Sequence, residues 1–106
     1  MVERKSPTLV VIRLTDEPDV KHQIEAIEGI EPIGDAVLDF ALVSFLSSIH
    51  LAQLLTLRRH LHGHDRQLRL CNMRPNVREL FKITSLELVL EITENEEDAV
   101  ASLGKE

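Results

Sequence analysis

The chain has 106 residues with 12 Lys plus Arg against 18 Asp plus Glu, a formal charge of −6 at neutral pH. That is one domain's length, and we expect a single domain over residues 1–106. The negative sign opposes non-specific nucleic-acid binding, which depends on counterion release by cationic side chains. Three Phe, with no Trp or Tyr, remove the stacking platforms of single-strand binders and leave Leu, Ile and Val to build the core.

Thr8 to Leu14 is a β-branched run that predicts a largely buried strand. From Asp19, which is placed to cap it, Val20, Ile24, Ile27 and Ile30 predict a short helix ended by Gly29 and Pro32. Ala36 to Phe40 predicts the second strand, after a turn at Gly34 and Asp35. Beyond Ser47 and Ser48 lies the clearest helix, with Leu51, Leu54, Leu55 and Leu61 as its stripe and Leu57 at the margin. Arg58, Arg59 and His60 lie near its carboxyl end, where the macrodipole favours cations, and Gly63 stops it. Gln67 to Cys71 predicts a third strand. Pro75 opens a helix that turns Val77, Leu80 and Phe81 inward. Leu86 to Ile92 predicts the last strand, and Asn95 to Leu103 an acidic closing helix capped by Thr93 or Asn95. The alternation predicts an α/β fold.

Cys71 stands alone in an apolar run, so we expect a buried, inert thiol and no disulfide scaffold. No apolar stretch is long enough for a signal peptide or a bilayer span, so the expectation is a cytoplasmic protein without membrane insertion. His60, His62 and His64 alternate, but residues i and i+2 diverge on a helix and only Asp65 adds a ligand. We assign no metal there and expect a polar, flexible turn. No cofactor is expected, because neither a phosphate loop nor a dinucleotide fingerprint is present.

The informative segment is Val43 to Leu51, where Ser47 and Ser48 sit at a strand-to-helix junction. The first helical turn leaves its N–H groups unpaired, so such a serine is either a plain cap or a site where a phosphate would be tolerated. Leu46, Ser47, Ile49, His50 and Gln53 are expected around Ser48 at the exposed helix start, with His50 a solvated imidazole. Asp19 and Asp39, near strand ends, are candidate supporting acids, their simplest roles being a helix cap and a solvent-facing strand residue. A hydrolase using Ser48 and His50 lacks the small-residue elbow that a nucleophilic serine requires, so no enzyme is expected.

Val37 to Ser48 resembles a stretch of the STAS domain family, in which a strand reading hydrophobic-Leu-Asp leads to Phe-apolar-Asp-Ser. Pro75 to Leu86 resembles that family's Val-Arg, Leu, Thr-Gly-Leu helix and turn. Glu96 to Val100 is similar to its Glu-Glu-Ala helix, and Leu14 to Asp19 to its Leu, Glu-Leu-Asp strand end. The resemblance spans residues 9–103 and implies a STAS-like domain: a four- to five-stranded, mixed but largely parallel sheet with about four α-helices. It implies an anti-sigma factor antagonist in transcription regulation, whose partner is an anti-sigma factor with kinase activity and whose phosphorylated residue is Ser48. Departures are Ser47 for the family's Asp, His50 for its Gly and Ser85 for the Gly of Thr-Gly-Leu, with the amino-terminal strand mostly missing. They motivate a second reading, a STAS scaffold or transport-accessory subunit without phosphorylation. The oligomeric state is left open, with a homodimer among the options.

Overall fold

The computed structural model describes residues 2–6, 9–16 and 34–103. The expected helix from Asp19 lies outside the described residues. Five strands form one sheet in chain order: β1 (Val2–Ser6), β2 (Leu9–Thr15), β3 (Asp35–Leu42), β4 (Leu68–Cys71) and β5 (Glu91–Thr93). Strands β2 to β5 are parallel, with Ile12 opposite Leu38 and Leu38 opposite Leu70. The amino-terminal strand, expected to be mostly missing, is present as β1, antiparallel to β2. Its charged Glu-Arg-Lys run carries little strand signal, and pairing to the β-branched β2 supplies what composition withholds.

Three α-helices follow among the described residues: α1 (Ser48–His62), α2 (Pro75–Ile83) and α3 (Glu96–Leu103). Side chains alternate across the sheet. Val10, Ile12, Leu14, Leu38, Phe40 and Leu70 belong to one core with Leu51, Leu54, Leu57 and Leu61 of α1 and Val77 and Phe81 of α2. Val11, Val37 and Cys71 face the other way and pack with Ala99 of α3. Leu57, expected at the margin of the stripe, is fully buried, whereas Leu55 is only partly so. The helix turns Leu57 rather than Leu55 fully into the core, and a 3.6-residue period admits either leucine at the stripe's edge.

The run Leu86 to Ile92 is not one strand. Leu86–Leu88 is a 3-10 turn, and only Glu91–Thr93 pairs with β4. Ser85 enters the left-handed region at φ 62°, and the N–H groups of Leu88 and Val89 then bond Ser85 O and Leu86 O at 3.1 and 3.0 Å. Those bonds consume the backbone a longer strand would need. Helix α3 is capped by Asn95, whose Oδ1 accepts the Asp98 N–H at 2.8 Å. It is tied to β4 by buried Arg69, whose Nε donates to Ser102 Oγ at 2.8 Å while Ser102 Oγ donates to Ala99 O. A guanidinium suits the negative end of that helix.

Cys71 is a buried free thiol whose pKa is pushed up to about 12, first by burial and then by the charges of Asp39 and Glu96. It is therefore a packing residue.

Candidate functional site

Parallel pairing brings the carboxyl ends of β2, β3 and β4 to one pole, where open α/β sheets place their functional groups. The segment from Ala41 to Ser47 crosses this pole before α1 begins. It is held from three directions. At the end of β2, Asp16 accepts the Ser44 N–H at 3.2 Å on each oxygen and the Ser44 hydroxyl at 2.7 Å. From the start of α2, Asn76 Nδ2 donates to Ser44 O at 2.7 Å, and Arg74 Nε donates to Ala41 O at 3.1 Å. Within the segment, Val43 and Leu46 are buried anchors.

Ser47 is the N-cap residue, in extended conformation at φ −98° and ψ 172°, which makes Ser48 the first helical residue. Ser48 is exposed. The first turn of α1 contains no acidic residue to offset its positive end. His50 is half-buried, and its Nδ1 accepts the Ser47 N–H at 3.0 Å. This corrects the solvated imidazole expected there: the ring reaches back to the cap as a glutamate does in a capping box. The Ser-x-x-His spacing was the available signal.

Flanking Ser48 in the chain, Leu42, Phe45 and Ile49 are 51%, 64% and 60% exposed. Three large apolar side chains left in water, at the end of β3, in the loop after it and in the first turn of α1, form a surface suited to protein contact. Leu42 and Phe45 were not among the expected contact residues. Their signal, an apolar run continuing past the end of β3, could equally have meant core. Leu46 was expected on this surface and is buried, because the turn that exposes Phe45 points its neighbour into the core. Gln53 is half-buried, with Oε1 sealed and unbonded.

Asp39, whose simplest reading was a solvent-facing strand residue, is buried. Its Oδ1 accepts the Ala41 N–H at 2.9 Å and its Oδ2 accepts from Arg13 Nε at 3.2 Å, while Arg13 also reaches Glu96 at 3.4 Å. It thus fixes the backbone entering the loop. Strand β3 is covered on both faces, so a residue at that register cannot meet water. Asp19 lies outside the described residues. His60 and His64 stack edge to face, centroids 5.0 Å apart, at the far end of α1 from this pole.

The model of the STAS domain matches residues 6–99. The chain belongs to the STAS domain family. Its fold is shared with an anti-sigma-factor antagonist (STAS) domain protein from Planctomyces limnophilus, at 16% identity and TM-score 0.75, covering 99% of this chain and 97% of that one. The anti-sigma factor antagonist SpoIIAA in its unphosphorylated form is 25% identical, TM-score 0.76, over 98% of this chain and 95% of the other. The phosphorylated form of SpoIIAA, described as a Bacillus cell fate determinant, is 22% identical, TM-score 0.67, over 96% of each chain. Among curated proteins nothing matches. No helix among the described residues is long and apolar enough to cross a membrane.

Proposed function

We propose that this STAS domain is an anti-sigma factor antagonist-like regulator that binds an anti-sigma factor with kinase activity, and that phosphorylation of Ser48 releases it. The observation that carries this reading is the exposed Ser48 hydroxyl at the first position of α1, beside the exposed Leu42, Phe45 and Ile49. Similarity to an anti-sigma factor antagonist solved in both unphosphorylated and phosphorylated forms supports it.

A partner packed over those apolar side chains closes off water around a neutral hydroxyl. A phosphate adds roughly −1.5 to −2 charges to that contact. The positive end of α1, whose first turn carries no acidic residue, tolerates it within the fold, so the modification costs the domain little while it costs the interface a desolvated charge. Ile49, His50 and Ser47 frame the hydroxyl, with the Ser47–His50 bond holding the start of the helix in place.

The test uses the chain recovered from its native cells. Intact-mass and peptide spectra should show a singly phosphorylated species mapped to Ser48, absent from Ser48→Ala. Used as bait, Ser48→Ala should capture the kinase partner and Ser48→Glu should not. Phosphate mapping elsewhere, or equal capture by both baits, would defeat the proposal.

A second reading is a STAS scaffold without phosphorylation. Ser47 and His50 favour it, because their mutual hydrogen bond occupies the positions where the family carries Asp and Gly. It predicts that Ser48→Asp leaves partner binding within about 1 kcal/mol, as at an ordinary exposed position.

A further inference from the structure

Three histidines crowd the carboxyl end of α1, a helix length away from Ser48. Their alternation makes i and i+2 neighbours, which diverge on a helix. The structure pairs i and i+4 instead. Gly63 keeps helical dihedrals at φ −65° and ψ −18°, and its N–H donates to Arg59 O at 3.0 Å. Asp65 then turns left-handed at φ 59°. Its N–H donates to His62 O at 3.1 Å, and the Arg66 N–H donates to Leu61 O at 2.8 Å. Those two bonds make a Schellman closure, so helical geometry continues as far as His64. His60 and His64 therefore stand one turn apart on one face, with ring centroids 5.0 Å apart and planes at 69°.

Two features of this pair point to a metal ion. The first is its geometry. Histidines at i and i+4 let one helical face present two imidazoles to one ion. Imidazoles bound side by side through bonds of roughly 2.0–2.1 Å hold their centroids about 4.5–5.2 Å apart. The observed 5.0 Å falls in that range. The second is an orphaned atom. His60 Nε2 is sealed from solvent and has no hydrogen-bond partner among the described residues. A buried ring nitrogen without a partner is costly, and a bound ion removes that cost. We propose that His60 and His64 form a two-histidine site for a late first-row divalent ion, of the Zn(II), Ni(II) and Cu(II) class that imidazoles suit. Exposed His64 is the side from which the ion enters. Among the described residues no cluster of three or more His, Cys, Asp or Glu exists, so water fills the remaining positions. The negative end of α1 favours the cation, whereas Arg59 and Arg66, close by in the chain, oppose it. Two protein ligands beside arginines make the site weak, with a Kd on the order of 10–100 µM.

Calorimetric titration of the untagged whole chain with ZnCl2 and with NiCl2, at about pH 7.5 where imidazoles are neutral, reads the site directly. Both ions should bind, and MgCl2, whose ion takes oxygen ligands, should not. His64→Ala, at an exposed position, should keep its circular dichroism and weaken binding about tenfold or more, as should His60→Gln. His62→Ala, on the diverging side of the helix, should bind as the wild type does. Nuclear magnetic resonance should show Zn(II) shifting the ring signals of His60 and His64 and leaving those of His62 in place. Ser48→Ala should bind the ion unchanged, so loss of the Ser48 switch and loss of this site are separate results. A wild type that binds neither Zn(II) nor Ni(II) below about 1 mM overturns the inference. So does undiminished binding by His64→Ala, or a loss in His62→Ala as large as in His64→Ala.

Discussion

Ser85 is the place where one atom-level change should stabilise this domain against ordinary expectation. Its backbone sits at φ 62° and ψ 14°, the left-handed region, where a β-carbon crowds the following carbonyl at roughly 1–2 kcal/mol. The turn cannot relax, because Ser85 accepts from Leu88 N–H and donates its own N–H to Lys82 O at 3.1 Å. Glycine would remove the crowding but release unfolded-state entropy of about 0.5–1 kcal/mol. The net for Ser85→Gly is a gain of roughly 0.5–1 kcal/mol, or about 3–6 °C in Tm for a chain of this size. Two internal controls exist. Asn72 and Asp65 are also left-handed, at φ 57° and 59°, but Asn and Asp tolerate that region. Their glycine variants should gain nothing or lose slightly. Urea melts of the three variants with unchanged m-values would measure the order. If Ser85→Gly is no more stable than wild type, or gains no more than Asn72→Gly, the strain argument is wrong.

Other outcomes follow from the same contacts. Leu57→Ala should cost about 2–5 kcal/mol by leaving a core cavity, and Leu55→Ala clearly less, since only the former is fully buried; denaturant titration of the pair checks which leucine of α1 faces the core. Asp16→Ala should change global stability by no more than about 1 kcal/mol, yet abolish the slowed hydrogen exchange of the Ser44 amide, because that carboxylate is a loop latch and not a core group. Cys71 keeps its proton in the fold to about pH 12 against 9.0 for the ordinary thiol, so its contribution is intact below pH 9 and fades between the two values as the unfolded thiol ionises. Alkaline unfolding should therefore be less steep in Cys71→Val, and native Cys71 should resist iodoacetamide at pH 8 until urea is added.

Much of this was legible because the signals were local and periodic. The leucine spacing placed α1, the β-branched run placed β2, and Pro75 marked the start of α2. What escaped depended on distant partners. Strand β1 has a charged sequence and exists by pairing with β2. The alternating run Leu86–Ile92 looked like a strand until a left-handed serine closed it into a 3-10 turn. At the site, the position of Ser48 followed from the break at Ser47 and Ser48. The side chains around it did not, because an apolar loop gives no indication whether Phe45 or Leu46 faces inward. The grip of Asp16, Arg74 and Asn76 on that loop joins residues far apart in sequence, which no spacing rule reveals.

Whether one hydroxyl governs partner binding is best measured by calorimetric titration of the purified kinase partner with unmodified chain and with chain phosphorylated at Ser48. The account predicts tight binding in the first case and at least a roughly tenfold weaker Kd, about 1.4 kcal/mol, in the second. Affinities within twofold of each other would contradict it.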